Sequence, residues 1–311
     1  MSSTCLVTGG AGFIGSHVAQ RLVNDGRVVR VVDNLSTGDI RNLAHLRDKV
    51  EFLGEDLTNP ETCRKAVAGV EVIFHLAALP SVPRSMEDPW GSYHHNVTAT
   101  MQLLLAARGA GVRRVVYSSS SSVYGDTPVL PKAEPVEPLP RSPYAAAKLA
   151  GEQFVLAFAR AGMMEGTALR YFNVFGPRQS PASAYAAVIP AFLAAARDGR
   201  PARVHGDGGQ TRDFTYVDNV VEANLLAATR PEANGVVCNL GAGQRTSLLQ
   251  LLEMVRSVTG RDITAEHGPP RAGDVHDSLA SLERAKATLG YEPRVGLREG
   301  LERTWAWFEG R

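Results

Sequence analysis

Cys5-Leu6-Val7-Thr8-Gly9-Gly10-Ala11-Gly12-Phe13-Ile14-Gly15 is the stretch that decides the fold. Its first four residues read as a short β-strand, and the glycines that follow open a helix. At this spacing Gly9, Gly12 and Gly15 give a tight turn, close backbone approach to a pyrophosphate, and contact between helix and strand. Phe13 and Ile14 lie in the helix start, whose unpaired N–H groups and positive dipole end suit phosphate oxygens. Asp33 stands eighteen residues past Gly15, at the end of the next strand, Val28 to Val32. A carboxylate there binds both hydroxyls of an adenosine ribose and repels a 2′-phosphate, which favours NAD over NADP. Read as a turn residue alone, Asp33 would only cap its loop.

Working outward, Asn34-Leu35-Ser36-Thr37-Gly38 continues round the adenosine, and Asp56-Leu57 is placed to meet the adenine. Ala77 and Ala78 follow a strand ending at His75 and keep side chains small where backbone passes the cofactor. Asn96 either touches the cofactor or bonds between central strands. Further strands are expected at Val50 to Leu53, Val72 to His75, Arg114 to Tyr117 and Gly166 to Tyr171. Helices begin near Gly12, Pro60 and Trp90, the last running to about Arg108. Strand–helix alternation of this kind builds a parallel sheet covered on both faces. The expected fold is α/β: a Rossmann-type doubly wound parallel sheet with a smaller C-terminal α/β substrate domain. Residues 1–172 form the NAD-binding domain, with a return segment near 213–241, and 173–311 mainly bind substrate. Past Asn173, Pro177, Pro181, Pro190 and Pro201 break the chain into short elements. Helices at Val217 to Thr229 and Ser247 to Thr259 flank a strand from Gly235 to Leu240, and two helical segments close the tail.

Tyr144 and Lys148 stand four apart on a helix, sharing a face, after a proline-rich loop. The serine run Ser118 to Ser122 lies upstream. A tyrosine ordinarily titrates near 10, so ionising it at neutral pH takes roughly 4 kcal/mol of differential stabilisation. One lysine and the positive charge of an oxidised nicotinamide could supply it. With the glycine turn, the pair indicates redox chemistry on an alcohol carbon; without it, Tyr-x-x-x-Lys would be a chance pairing on a surface helix.

Composition sets the outer bounds. The chain has 311 residues, 44% hydrophobic and 21% charged, with a net charge of +1. That is ordinary for a soluble globule and gives no reason to expect nucleic acid or a membrane surface as partner. Cys5, Cys63 and Cys238 are scattered and unspaced for a metal, as buried thiols of a reducing compartment would be. The N-terminus enters a strand within a few residues, leaving no room for a signal peptide. A cytoplasmic protein is expected.

The motifs resemble the extended short-chain dehydrogenase/reductase family, and within it the nucleotide-sugar 4-epimerases. They are Thr8 to Ser16, Asp33 to Gly38, His75-Leu76-Ala77-Ala78, Ser118 to Gly125, Ser142 to Lys148, and Leu169-Arg170-Tyr171-Phe172-Asn173-Val174-Phe175-Gly176-Pro177-Arg178. The resemblance spans essentially the whole chain. It implies Ser120, Tyr144 and Lys148 as catalytic residues, Ser122 beside the sugar, and Leu76, Ser118 and Tyr171 at the cofactor. Ser119 and Ser121 flank the catalytic position. Further implied substrate contacts are Ser81, Val82, Arg84, Asn173, Ala187, Val188, Ile189, Arg212, Arg271, Asp274 and Ser278. Arg212 and Arg271 would grip the diphosphate of a UDP-sugar, for which guanidinium forks are suited.

On this resemblance NAD takes hydride from C4 and returns it to the opposite face of a 4-keto sugar, with no metal. Related dehydratases and decarboxylases carry extra carboxylates in the serine segment; this chain has only serines there. Ser278 leaves room for an N-acetyl group at C2, so UDP-GlcNAc/UDP-GalNAc and UDP-glucose/UDP-galactose are both admitted. Pro80 departs from the glycine usual in N-acetylhexosamine enzymes. A UDP-glucuronate 4-epimerase is the alternative, but those show threonine at the Asn173 position and an arginine soon after, and Gln179 to Ser183 offers none. An alternative of another class is a non-catalytic NAD-binding regulator, which would need none of Ser120, Tyr144 and Lys148. The apolar Trp90–Arg108 and Tyr144 helices imply a homodimer through a four-helix bundle.

Overall fold

The computed structural model describes residues 4–181, 187–269 and 275–310. Within them seven parallel strands form the central sheet. They are β1 (Thr4–Thr8), β2 (Val28–Val32), β3 (Val50–Leu53), β4 (Val70–His75), β5 (Arg114–Ser120), β6 (Glu165–Tyr171) and β7 (Val236–Leu240). Their spatial order is β7-β6-β5-β4-β1-β2-β3. The order reverses between β1 and β4, where Thr8 pairs with His75, and ligands of doubly wound sheets bind at such a reversal. Val236–Leu240, from later in the chain, pairs with Thr167–Tyr171 at the edge of the sheet.

Strand side chains divide between two cores because successive residues point to opposite faces. Cys5, Val7, Val31 and Phe74 enter one cluster; Leu6, Val32, Ile73 and Val115 enter the other. Coverage on both faces explains why these strands read as continuous apolar runs. The first cluster packs beneath α1 (Phe13–Asn24). The second packs beneath α2 (Pro60–Val67) and α3 (Ala99–Gly109). The next helix, α4 (Pro143–Arg160), starts with the Ser142 hydroxyl accepting from Ala145 N at 3.1 Å and with proline in its first position. It lies close on β5 because Gly151 has no Cβ; one added there would stand 2.3 Å from the Tyr117 hydroxyl.

Two elements differ from the sequence expectation. The helix expected from Trp90 to Arg108 is composite: a helical turn Pro89–Tyr93, a π-helical turn His94–Thr98, and then α3. Its π turn carries Asn96, whose side chain leaves the helix and bonds the loop after β4. Asn96 Oδ1 accepts from Leu79 N at 2.9 Å, and Nδ2 donates to Leu79 O at 3.2 Å and Ser92 O at 2.8 Å. Secondly, Pro190 does not break the chain but sits in the first turn of α5 (Val188–Asp198). First-turn N–H groups have no partner within the helix, so a missing one costs little there.

Further long helices are α6 (Val217–Thr229), α7 (Leu248–Thr259) and α8 (Leu297–Glu309), with shorter ones at Val82–Glu87 and Glu283–Leu289. Phe192, Leu251, Val255, Leu301 and Trp305 from this part are buried in the same cluster as Val7 and Val31. The C-terminal part thus shares a core with the sheet. Cys5, Cys63 and Cys238 are buried free thiols.

Candidate active site

A cleft of about 700 Å³ runs along the C-terminal edge of the sheet. At one end lies the glycine turn. Gly9 N donates to Val32 O at 2.8 Å, and Gly9 holds φ +66°. A Cβ on Gly9 would stand 2.8 Å from the Ala77 backbone, and one on Gly15 would stand 2.2 Å from Gly9 O. Gly12 caps α1 in extended conformation with no side-chain hydrogen bond, which leaves the helix N–H groups directed at the cleft. A site that excludes Cβ atoms and presents bare helix N–H groups fits a pyrophosphate.

Asp33 lies beside the glycine turn on the cleft wall. Its carboxylate accepts from Ala11 N at 3.0 Å and Leu35 N at 2.8 Å, while burial raises its pKa against those bonds. Gly38 stands behind it: a Cβ would be 2.8 Å from Asp33 Oδ1, so this glycine makes space for the carboxylate without lining the cleft. Asn34 Nδ2 donates to Asp56 Oδ2 at 2.7 Å, and Asp56 Oδ1 accepts from Thr58 N at 2.8 Å. Phe13, Ile14, Ser36, Thr37, Leu57, Leu76 and Ala78 line the same end. Beneath it the Thr8 hydroxyl accepts from Leu76 N and Ala77 N, each at 3.1 Å, and lies 2.7 Å from His75 Nδ1. His75 is fully buried and pushed down to about 3, so it is neutral.

At the centre lie Ser118, Ser120, Tyr144, Lys148 and Tyr171. Lys148 is 3% exposed and donates to Ser118 O at 2.8 Å. Burial pushes Lys148 down to about 7. It pushes the Tyr144 phenol up to about 12, against the lowering effect of a hydrogen bond with Ser120. In the protein alone lost hydration dominates both groups, and the ionisation expected from sequence counts on the oxidised nicotinamide charge together with Lys148. Tyr144 does occupy the second position of α4, where the positive end of the helix dipole favours an anion.

The serines separate by role. Ser119 Oγ donates to Glu152 Oε2 at 2.7 Å, and Glu152 grips Arg170 at 2.7 and 3.0 Å in a fully buried pair. Arg170 lies over the Tyr124 ring, 4.6 Å from its centroid. Ser119 is thus committed to structure, whereas Ser120 Oγ accepts from Ser122 Oγ at 2.9 Å and meets Tyr144. Alternation along β5 puts neighbouring serines on opposite faces.

At the far end Ser81, Val82, Ser122, Asn173, Ala187, Arg212 and Ser278 line the cleft. Arg212 Nη1 donates to Thr211 O at 2.9 Å and His276 O at 3.0 Å. Asn173 holds φ +27° and donates to Asp213 O at 3.3 Å. Asp213 is fully buried, pushed up to about 6, and accepts from Ala242 N, Gly243 N and Ala280 N. It fastens the Arg212 loop to the segment carrying Ser278.

Arg84, Val188, Ile189 and Asn96 do not line the cleft. Arg84 N caps on Ser81 Oγ, Ile189 is buried in the core beneath α5, and Asn96 serves the π turn. Arg271 and Asp274 lie outside the described residues. Sequence reading missed His95, Lys132, Arg141 and Gln179, all on the cleft wall. Lys132 follows Pro131 in the proline-rich loop that leads into the Tyr144 helix, and that position was the available signal.

A profile of the NAD dependent epimerase/dehydratase family matches residues 5–241. A UDP-glucose 4-epimerase of Mycolicibacterium smegmatis is 41% identical over 310 residues, covering 98% of each chain. The solved UDP-N-acetylglucosamine 4-epimerase from Methanobrevibacter ruminantium, in complex with UDP-N-acetylmuramic acid, is 37% identical; it superposes with a TM-score of 0.94 over 99% of each chain. The UDP-glucose 4-epimerase of Thermus thermophilus, a complex with NAD, is 34% identical with a TM-score of 0.90, again over 99% of each chain.

Proposed function

This chain belongs to the NAD dependent epimerase/dehydratase family, and we propose that it inverts C4 of a UDP-sugar through a 4-keto intermediate. The observation carrying this reading is the meeting of Ser120, Tyr144 and Lys148 in one cleft with the glycine turn and Asp33. Bound NAD supplies a hydride acceptor and donor and a positive ring charge.

The rest falls to the chain's own side chains. Tyr144 takes the proton of the 4-hydroxyl and returns it after the sugar has turned. Ser120 holds the reacting oxygen and orients the phenol. Lys148, anchored to Ser118 O, stabilises the phenolate and fixes the ribose side of the site. Asp33 recognises the adenosine ribose. Arg212 and Asn173 hold the diphosphate, with Arg271 as a second fork, and the other lining residues shape the sugar end. The sugar must rotate while its diphosphate stays fixed, so binding energy belongs at the nucleotide. Residues 1–172 with Val236–Leu240 carry the dinucleotide, and 173–311 mainly carry the UDP-sugar.

The serine segment holds no carboxylate, which separates this site from one that eliminates water or carbon dioxide. Among the described residues no helix is long and apolar enough to cross a membrane. We place the enzyme in the cytoplasm as a homodimer. Trp90, Met86 and Leu105 are 71%, 61% and 54% exposed on helices that pack near α4, apolar surface that a second copy would cover in a four-helix bundle. Sedimentation showing only monomer at micromolar concentration would remove the dimer.

The test of function is incubation with UDP-GlcNAc, UDP-glucose and UDP-glucuronate without added NAD, reading C4 inversion by NMR. Turnover of one of them without external cofactor is expected. No inversion of any, with NAD still bound, would leave a binding protein instead.

A further inference from the structure

Lys132 is a buried cation in the cleft that the proposed chemistry does not use. It is 1% exposed, yet it lines the cleft. Its main chain is fastened to the segment beyond Ser278: Lys132 N donates to Leu279 O at 2.8 Å, and Ser281 N donates to Lys132 O at 2.9 Å. Its side chain points back toward the serine segment, where Nζ donates to Gly125 O at 2.9 Å. The residue therefore links the end of the Ser120–Tyr124 stretch, through its ammonium, to the Ser278 segment, through its main chain. Burial lowers its pKa, and Arg212 acts the same way, against Asp126 and Asp277, which favour its charge.

An ammonium carries three N–H donors, and Gly125 O takes one. Holding a charged amine in so closed a place is costly unless oxygen completes its shell. A residue needed only to fill this volume would be apolar. We propose that Lys132 is a specificity-determining residue that donates to a carbonyl or carboxylate oxygen on the hexose. It would favour an acetamido or uronate sugar over one bearing hydroxyls alone. This rests on the UDP-sugar reading and adds to it a rank order among sugars. An acetamido carbonyl and a uronate carboxylate present the same oxygen acceptor, so the experiment separates them.

The test compares wild type with Lys132→Met on UDP-glucose, UDP-GlcNAc and UDP-glucuronate, which share one nucleotide. The expected result is a loss of about 10- to 100-fold in kcat/KM, carried by KM, for one acceptor-bearing sugar, as for a hydrogen bond to a charged group. UDP-glucose should change by less than about 3-fold, which isolates the effect from the nucleotide and NAD sites. The sugar that loses most identifies the acceptor. Equal losses on all three sugars would assign Lys132 to holding the Gly125 turn and overturn the proposal, as would no loss on any. If Lys132→Met does not fold, Lys132→Gln, which keeps a donor for Gly125 O, gives the same comparison. If wild type inverts none of the sugars, the epimerase reading falls separately. Calorimetric Kd ratios of the three UDP-sugars for the same variants then decide the role of Lys132.

Discussion

Replacing Lys148 by Met removes the cation one helical turn beyond Tyr144 and tests the electrostatic basis of the site. In the protein alone the phenol stands at about 12 and the amine at about 7, each displaced by burial. Residues four apart on a helix present Cβ atoms about 5–6 Å apart. At about 6 Å and an effective dielectric near 20, a full ammonium lowers the phenolate's energy by about 3 kcal/mol, or roughly 100-fold in ionised fraction. Ionising Tyr144 in turn keeps the ammonium charged, so the two act as a pair. Lys148→Met should therefore cut kcat by about 100-fold at pH 7. Losing a cation raises the phenol pKa, and the ionised fraction below that pKa grows tenfold per pH unit. With NAD bound, the nicotinamide charge adds to that of Lys148 and brings the wild-type phenol toward neutrality, so wild type levels off first and the deficit should narrow as pH rises toward 9. NMR rates from pH 6 to 10 read this directly, with UDP-sugar Kd as control. A deficit unchanged across that range would refute the electrostatic argument and leave Lys148 a positioning residue.

Thermal unfolding without sugar gives a second readout on Lys148. Its pKa is depressed from 10.5 to about 7, so the unfolded chain binds more protons between those values and stability should rise with pH there. Lys148→Met should flatten that rise. Tyr144→Phe should leave UDP-sugar binding within about 2-fold while activity falls by about 100-fold or more; retained activity would overturn its role. His75 is depressed from 6.5 to about 3, so stability should fall as the solution is acidified from pH 6.5 toward 3, and His75→Gln should weaken that fall in pH-dependent melting. Gly9→Ala must accommodate both φ +66° and a 2.8 Å approach to Ala77, so retention of NAD through gel filtration should be lost. Glu152→Leu strands the buried Arg170 guanidinium and should cost about 3–5 kcal/mol in denaturant unfolding.

Much of the site was legible because its signals are local. Val28–Val32, Val50–Leu53 and Val217–Thr229 emerge at the ends read from sequence, since β-branched runs, glycines and helical periodicity act over a few residues. The glycine turn, Asp33 and the Tyr144–Lys148 spacing converge on one sheet edge because parallel strands all end on the same side. Other features depend on groups far apart in the chain. Ser119 and Ser120 are alike in sequence; Glu152 and Arg170, brought in by α4 and β6, decide which one is structural. The π turn at His94–Thr98 follows from Asn96 bonding to Leu79, seventeen residues away. Pro190 is tolerated because of where α5 begins. Lys132 reaches the cleft through pairing with Leu279 and Ser281. The pKa directions of Tyr144 and Lys148 also came only with tertiary structure. Charge spacing along a helix is written in the residues, but the water removed around that charge is set by everything packed against it.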